Sequence, residues 1–457
     1  MTARTCFLAY LLAGGLAMGL AGCTMTSTES GVTNSNASVA RTTQAVSALD
    51  AVAADYIRLT LEAGTHEAEY VDAYYGPAKL QDEAKASPRN KAELIASSRM
   101  LIERIDREIL PVIFATADQR RAKALRGMLV AAETRLQMLE GRKFSFADEA
   151  KGQFATEPVL KPLSEYDPLL ASLETLVPGT GTLATRVDAF NERFTIPKDR
   201  LQNVFDAAIA ECKKRTAAHI RLPEGESFTM EFVTGKTWSG YNYYQGNYKS
   251  LIQVNTDLPI RISRAVDLGC HEGYPGHHVL NLLVEERLAR AKGWKEYEVN
   301  PLYSPTSVLS EGSANYGIDL AFPGPERLAF ERDVLYPLAG LDPKRAESYW
   351  QMQQMTEGLT GARLTIAKIY LDGAITRTKA VELTQRYLLL SPARAEQSVA
   401  FTDHYRSYVI NYGWGKDLVR NYVERGAPVG SGPDAKTRWI RMEKILSEPT
   451  LPADLLN

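Results

Sequence analysis

Three of the chain's six histidines, a glutamate and a helix-breaking Pro-Gly pair fall within eight residues, His271-Glu272-Gly273-Tyr274-Pro275-Gly276-His277-His278. A regular α-helix cannot run undisturbed through this stretch, because proline removes a hydrogen bond and clashes with the preceding turn. Histidines that share a zinc ion on one helix are normally four residues apart, with an intervening glutamate as general base. Here the position four after His271 is Pro275. His277 and His278 follow six and seven residues on, a rise of roughly 9 and 10.5 Å along an ideal helix. Neither ring could share an ion with His271 at that separation, since each nitrogen must come within about 2.1 Å of the metal. A helix that bulges outward at Pro275-Gly276 and then re-enters would bring the rings together. The same residues also fit a His-rich helix start with Pro275 near the first helical position.

A second stretch bears on that choice. Ser310-Glu311-Gly312-Ser313-Ala314-Asn315-Tyr316-Gly317 reads as a helix on which Glu311 could be a third ligand. Two histidines and one glutamate leave a fourth position for water, which a catalytic zinc requires. Asn315, one turn after Glu311, is spaced to orient a ligand imidazole. Taken alone, Glu311 is an ordinary carboxylate near a helix start.

Together, His271-Glu272-x-x-Pro275-Gly276-His277-His278 and Glu311-Gly312-x-Ala314-x-Tyr316 resemble the bacterial family called domain of unknown function 885, itself similar to the glutamate-zincin metallopeptidases. Tyr412-Gly413-Trp414-Gly415 resembles the family's Tyr-x-x-Gly near the carboxyl end. The resemblance runs from about residue 50 to 425, and the first motif is its specific part. The chain departs from the pattern at Leu280, where glutamine is usual, and at Ser313 and Asn315, where tryptophan and leucine are usual. These departures spare the ligands and bear on substrate preference. The resemblance implies zinc held by His271, His277 and Glu311, with Glu272 as general base and Tyr412 as donor to the oxyanion, His404 and Tyr408 being the runners-up. His278 is the alternative second ligand or a neighbour facing the cleft: regular helical phase favours it, whereas the resemblance favours His277.

The fold expected around these motifs is mostly α with a small β-sheet, helix-rich and zincin-like. Residues 1–22 read as a lipoprotein signal peptide, with Arg4 ahead of an apolar run from Phe7 to Leu20 that is too short to span a bilayer. Leu20-Ala21-Gly22-Cys23 resembles a lipobox, which makes Cys23 the lipidated residue, anchoring the chain to a membrane and facing the periplasm. Thr24 after that cysteine favours the outer membrane. Residues 23–45, rich in Ser, Thr, Asn and Ala, read as a flexible tether. The remainder, 46–457, reads as one catalytic domain, with a helical part over 46–200 and the metal-site part over 226–425.

In the helical part, Ala53, Tyr56, Ile57, Leu59 and Leu61 make the apolar face of a first helix, broken at Tyr74-Tyr75-Gly76-Pro77, and apolar spacing predicts further helices over about 91–108 and 117–140. Residues 142–196 are punctuated by prolines, and a helix covers about 198–218. The sheet signal lies at 228–233 and 248–254. Its edge would take up a substrate backbone as an added strand, with Tyr241, Tyr244 and Tyr248 lining the cleft. Cys212 and Cys270 could pair in an oxidising compartment, but Cys270 reads better as a small residue packed behind the site.

A net charge of −2 without a long basic run gives nucleic-acid binding no support. No Gly-x-Ser-x-Gly elbow is present for a serine hydrolase. The reaction expected is zinc-assisted hydrolysis of a peptide substrate in the cell envelope. The alternatives are a zinc amide or ester hydrolase of an envelope substrate, and a non-catalytic lipoprotein that keeps a zincin scaffold for binding.

Overall fold

The computed structural model describes residues 30–236, 238–426 and 433–456. The segment read as a signal peptide, and Cys23 with it, lie outside them. Helix α1 spans Ser30–His66, so the segment read as a tether is helical from Ser30 onward. Leu49, Val52, Tyr56, Leu59 and Ala63 form its fully buried stripe at helical spacing. No glycine or proline interrupts the run between residues 32 and 63. Once packing has nucleated the helix, each residue upstream adds a hydrogen bond at little further cost.

Helices α2 (Lys91–Arg104) and α3 (Thr116–Leu139) lie where the periodicity puts them. Asn90 and Glu93 form a capping box on α2, and Gly141, at φ +94°, follows the end of α3. The break after α1 holds a short strand, β1 (Val71–Tyr74), which the sequence does not betray because its partner is 225 residues away. The partner is β5 (Val299–Pro301), antiparallel to it. The proline-punctuated stretch folds as short helices, Phe146–Phe154, Asp167–Leu176 and Leu183–Glu192 among them.

Helix α4 (Leu201–Ala217) leads into a three-stranded sheet of β2 (Ser227–Val233), β3 (Gly240–Gly246) and β4 (Lys249–Asn255). The order is β2-β4-β3, with β2 parallel and β3 antiparallel to β4. β3 is the strand the sequence concealed: the adjacent Tyr243 and Tyr244 break its alternation. It forms the edge of the sheet on the side of the His271-Glu272 stretch, since a Cβ on Gly240 would sit 2.8 Å from Glu272 Oε1.

Helices α5 (Ser263–Leu268) and α6 (His277–Val284) flank that stretch. Helix α7 (Pro305–Ala321) carries Glu311, α8 (Ala362–Leu371) lies further on, and α9 (Ile410–Val423) carries Tyr412. α7 and α9 cross with their backbones in contact. A Cβ on Gly312 would lie 2.4 Å from the carbonyl oxygen of Gly415, so the glycines of the second and third motifs are a packing pair. One buried apolar cluster runs from Ala45 to Leu455 and includes residues from α1, α3, α4, α5, α7 and α9. A smaller one gathers Leu173, Val187, Met352, Ile366 and Ala380. The architecture is helix-rich α+β, as expected. No helix among the described residues is long and apolar enough to cross a membrane.

Cys212 on α4 is bonded to Cys270, with 5.5 Å between the Cα atoms. Cys270 is therefore more than a small packing residue: it ties α4 to the residue before His271.

Candidate metal centre

The backbone solves the six-residue spacing by leaving the α-helix twice. After α5, residues Gly269–Gly273 form a wide π turn, with the Tyr274 amide bonding the Gly269 carbonyl at 3.4 Å. The Tyr274-Pro275 peptide is cis, and the Gly276 amide returns to the Cys270 carbonyl at 3.0 Å before α6 begins at His277. A Cβ on Gly276 would be 1.8 Å from the His271 carbonyl oxygen, so no other residue fits the re-entry. Pro275-Gly276 thus forms the outward bulge that the spacing required.

The result is that His271 and His277 meet edge to face, with ring centroids 4.7 Å and Nε2 atoms 3.1 Å apart. Glu311 Oε2 lies 3.3 Å from His271 Nε2 and 3.7 Å from His277 Nε2. One ligand atom from each of the three residues falls within 4.8 Å of the others. Two nitrogens bound tetrahedrally at about 2.1 Å would stand about 3.4 Å apart, so the spacing suits a zinc ion. Glu311 Oε2 is buried and accepts no hydrogen bond. A bare buried carboxylate oxygen beside two imidazole nitrogens is a donor set that fits a cation. Burial opposes a charge on His277, yet the Glu311 carboxylate outweighs it and pushes the imidazole up to about 9. Burial likewise opposes ionised Glu311, and the two imidazoles overcome it, holding the carboxyl well below its usual range.

Neighbouring side chains fix the three. Tyr408 donates to Glu311 Oε1 at 3.0 Å, which turns Oε2 toward the imidazoles. Ser310 Oγ bonds His277 Nδ1 at 3.0 Å, leaving Nε2 for the shared position. Glu272, buried on the π turn, has its carbonyl held by Asn242 of β3 at 2.7 Å. Tyr412 forms no hydrogen bond with any described residue, and burial, with the charges of Glu311 and Glu272 adding to it, keeps its hydroxyl protonated.

Several residues singled out in the sequence lie elsewhere. His278 points to the other side of α6, where Ser250 Oγ meets Nδ1 at 2.8 Å and Glu226 Oε2 meets Nε2 at 2.9 Å. Burial lowers its pKa, and a neutral ring with both nitrogens engaged has none left for a metal. Asn315 spends its amide on the Glu311 carbonyl at 2.8 Å, one turn back on its own helix, and orients no imidazole. His404 is 59% exposed and pairs with Glu69 at 2.8 Å, away from the three ligand atoms. Tyr244 donates to Glu285, and Tyr248 lies under Arg290, 4.8 Å from Cζ to the ring. Both are committed to the Glu285–Arg290 ion pair beyond α6. Tyr241 alone of the three tyrosines faces the centre. Its hydroxyl bonds Asp72 of β1, whose carboxyl is raised by burial, while Tyr241 and His277 pull it back.

No family model matches the chain, and no curated protein matches it significantly. Among solved structures it is similar to a protein described as a lipoprotein from Colwellia psychrerythraea, with a TM-score of 0.50 and 16% identity over 82% of this chain and 70% of that one. A protein described as a lipoprotein of unknown function from Shewanella oneidensis gives a TM-score of 0.44 at 13% identity, over 82% and 75% of the two chains. The M32 carboxypeptidase from Deinococcus radiodurans R1 gives 0.34 at 12%, over 91% and 94%. The likeness to the first is one of fold.

Sequence reasoning missed Ser310, Asp72 and Asn242. Ser310 stood beside Glu311 but has no signature apart from that position. Asp72 and Asn242 reach the centre on strands whose pairing is long-range, and no local pattern announces them.

Proposed function

We propose that this chain is a zinc-dependent hydrolase that cleaves peptide bonds in the cell envelope, anchored at the membrane by a lipid on Cys23 and facing the periplasm. The observation that carries the reading is the meeting of His271 Nε2, His277 Nε2 and the unbonded Glu311 Oε2, with Glu272 on the same turn as His271. A zinc ion held by those three residues would keep one position for water and lower its pKa to about 7. Glu272 takes the proton released by the attacking water and delivers it to the leaving amine. Tyr412 donates its free hydroxyl to the oxyanion. Tyr408 and Ser310 keep Glu311 and His277 aimed while charge moves through the site. The edge of β3, running past Glu272, takes the substrate backbone as a further strand, with Tyr241 at its start. The lipobox ending at Cys23 and the likeness in fold to a protein described as a lipoprotein support the anchor.

The test is incubation of the zinc-loaded chain with a peptide mixture, reading new termini by mass spectrometry. Cleavage is expected to fall about 10²–10⁴-fold in Glu272→Gln and to persist in His404→Ala. Equal cleavage by the Glu272→Gln protein contradicts the reading.

A further inference from the structure

Arg363, near the start of α8, is half-buried and has no ion-pair partner among the described residues. Its Cζ is 5.2 Å from the Phe401 ring and 6.0 Å from the Tyr412 ring. Its Nε is shut from solvent and has no hydrogen-bond partner. No carboxylate among the described residues pairs with it, and burial, relieved only slightly by Tyr412, pulls its pKa below that of an ordinary arginine. Three deeply placed arginines are matched by carboxylates. Arg121 is set against Glu296 and Asp50, Arg135 against Glu67, and Arg327 against Asp267 and Glu331. Two aromatic faces hold a guanidinium more weakly than a carboxylate does and leave its N–H donors free for an anion. The group stays charged wherever it is put, so that anion is the partner it suits.

Two aromatic rings stand between Arg363 and the metal centre. Tyr412, which Arg363 faces, lies 5.9 Å ring to ring from Tyr408, and Tyr408 holds Glu311. A few residues of extended peptide, at about 3.4 Å each, cover that span.

We propose that Arg363 binds a carboxylate of the substrate, so that the site selects peptides with a free carboxyl group a few residues from the bond that is cut. The inference rests on the peptidase reading above and adds its specificity. Two sources carry this chemistry, the α-carboxylate of the peptide's end and an acidic side chain near it. A planar guanidinium suits either through paired N–H donors.

Calorimetric binding tests this without depending on turnover, using the full mature chain with Glu272→Gln. The probes are N-acetyl-tetraalanine as the free acid, its carboxyl-terminal amide, and N-acetyl-Ala-Ala-Ala-Glu amide. The free acid is expected to bind about 10–100-fold more tightly than the amide, the range of a charged hydrogen bond. Arg363→Met is expected to erase that difference and leave the amide unchanged, while Arg363→Lys keeps part of it. Glutamate amide binding as tightly as the free acid identifies the side chain as the anion, and binding as weakly as the plain amide identifies the α-carboxylate. Arg363→Met removes a cation that no carboxylate pairs with, so its melting temperature is expected to be no lower than that of the parent. Equal binding of the three probes, no binding of any, or an acid preference that survives Arg363→Met overturns the proposal. An intact preference in a zinc-loaded protein that cleaves no peptide counts against the proposed reaction and leaves the carboxylate site standing.

Discussion

The two tyrosines near the centre show how one residue's role depends on where its hydroxyl points. Tyr408 bonds Glu311, whereas Tyr412 bonds no described residue. Tyr408→Phe is therefore predicted to weaken zinc binding about 10–100-fold, measured by competition with a chelator. Tyr412→Phe is predicted to leave that affinity unchanged and to lower kcat about 10²–10³-fold. The motif could not separate these roles. Four residues apart, the two would share a face on a regular helix, but Tyr408 sits in the 3₁₀ turn Arg406–Val409, entered through Arg406 at φ +53°. The bulge between His271 and His277 was legible, because proline and glycine interrupt a helix there and glycine is the residue that permits re-entry. A second residue-scale prediction concerns Glu226. Burial raises its carboxyl, but His278, Lys213 and Tyr274 outweigh burial and hold it at about 2. The folded value lies below the unfolded one of about 4.3, so this pairing stabilises the protein above that pH and is lost as pH falls toward 2. Glu226→Gln should flatten that part of a pH–stability curve, which in the parent falls by on the order of 2 kcal/mol. An unaltered curve would remove Glu226 from the account.

At the scale of elements, the crossing of α7 and α9 brings Glu311 and Tyr412 to one place, and it depends on two glycines. Gly312→Ala must push the helices apart, with a loss of about 1–3 kcal/mol or more and weaker zinc binding in the protein that still folds. Urea unfolding with and without zinc measures both. The long helices were legible from periodicity, as the buried stripe of α1 illustrates. The strands were legible only in part. β2 and β4 show β-branched and aromatic residues between turn signals, but β3 has adjacent tyrosines and β1 is four residues long. Their identity comes from partners elsewhere in the chain, which local propensity does not contain. The same limit explains why residues from 30 onward, polar in composition, fold as an extension of α1.

Over the whole molecule, three distant stretches and a disulfide converge on one centre. The Cys212–Cys270 bond closes a loop with a sequence separation of 58 and lies directly behind His271. Replacing both cysteines with alanine is predicted to cost about 2–4 kcal/mol, read by thermal unfolding, and to loosen the metal site, read by chelator competition. The pairing was not legible because two cysteines in sequence carry no distance between them. The proposed hydrolysis depends on an ion being held where His271, His277 and Glu311 meet. The most direct measurement is the zinc content of the purified chain after dialysis against buffered zinc, set beside His271→Ala, His277→Ala and His278→Ala. The account predicts one zinc per chain in the parent and in His278→Ala, and none in the other two. Zinc absent from the parent, or retained in His271→Ala and His277→Ala but lost in His278→Ala, would contradict it.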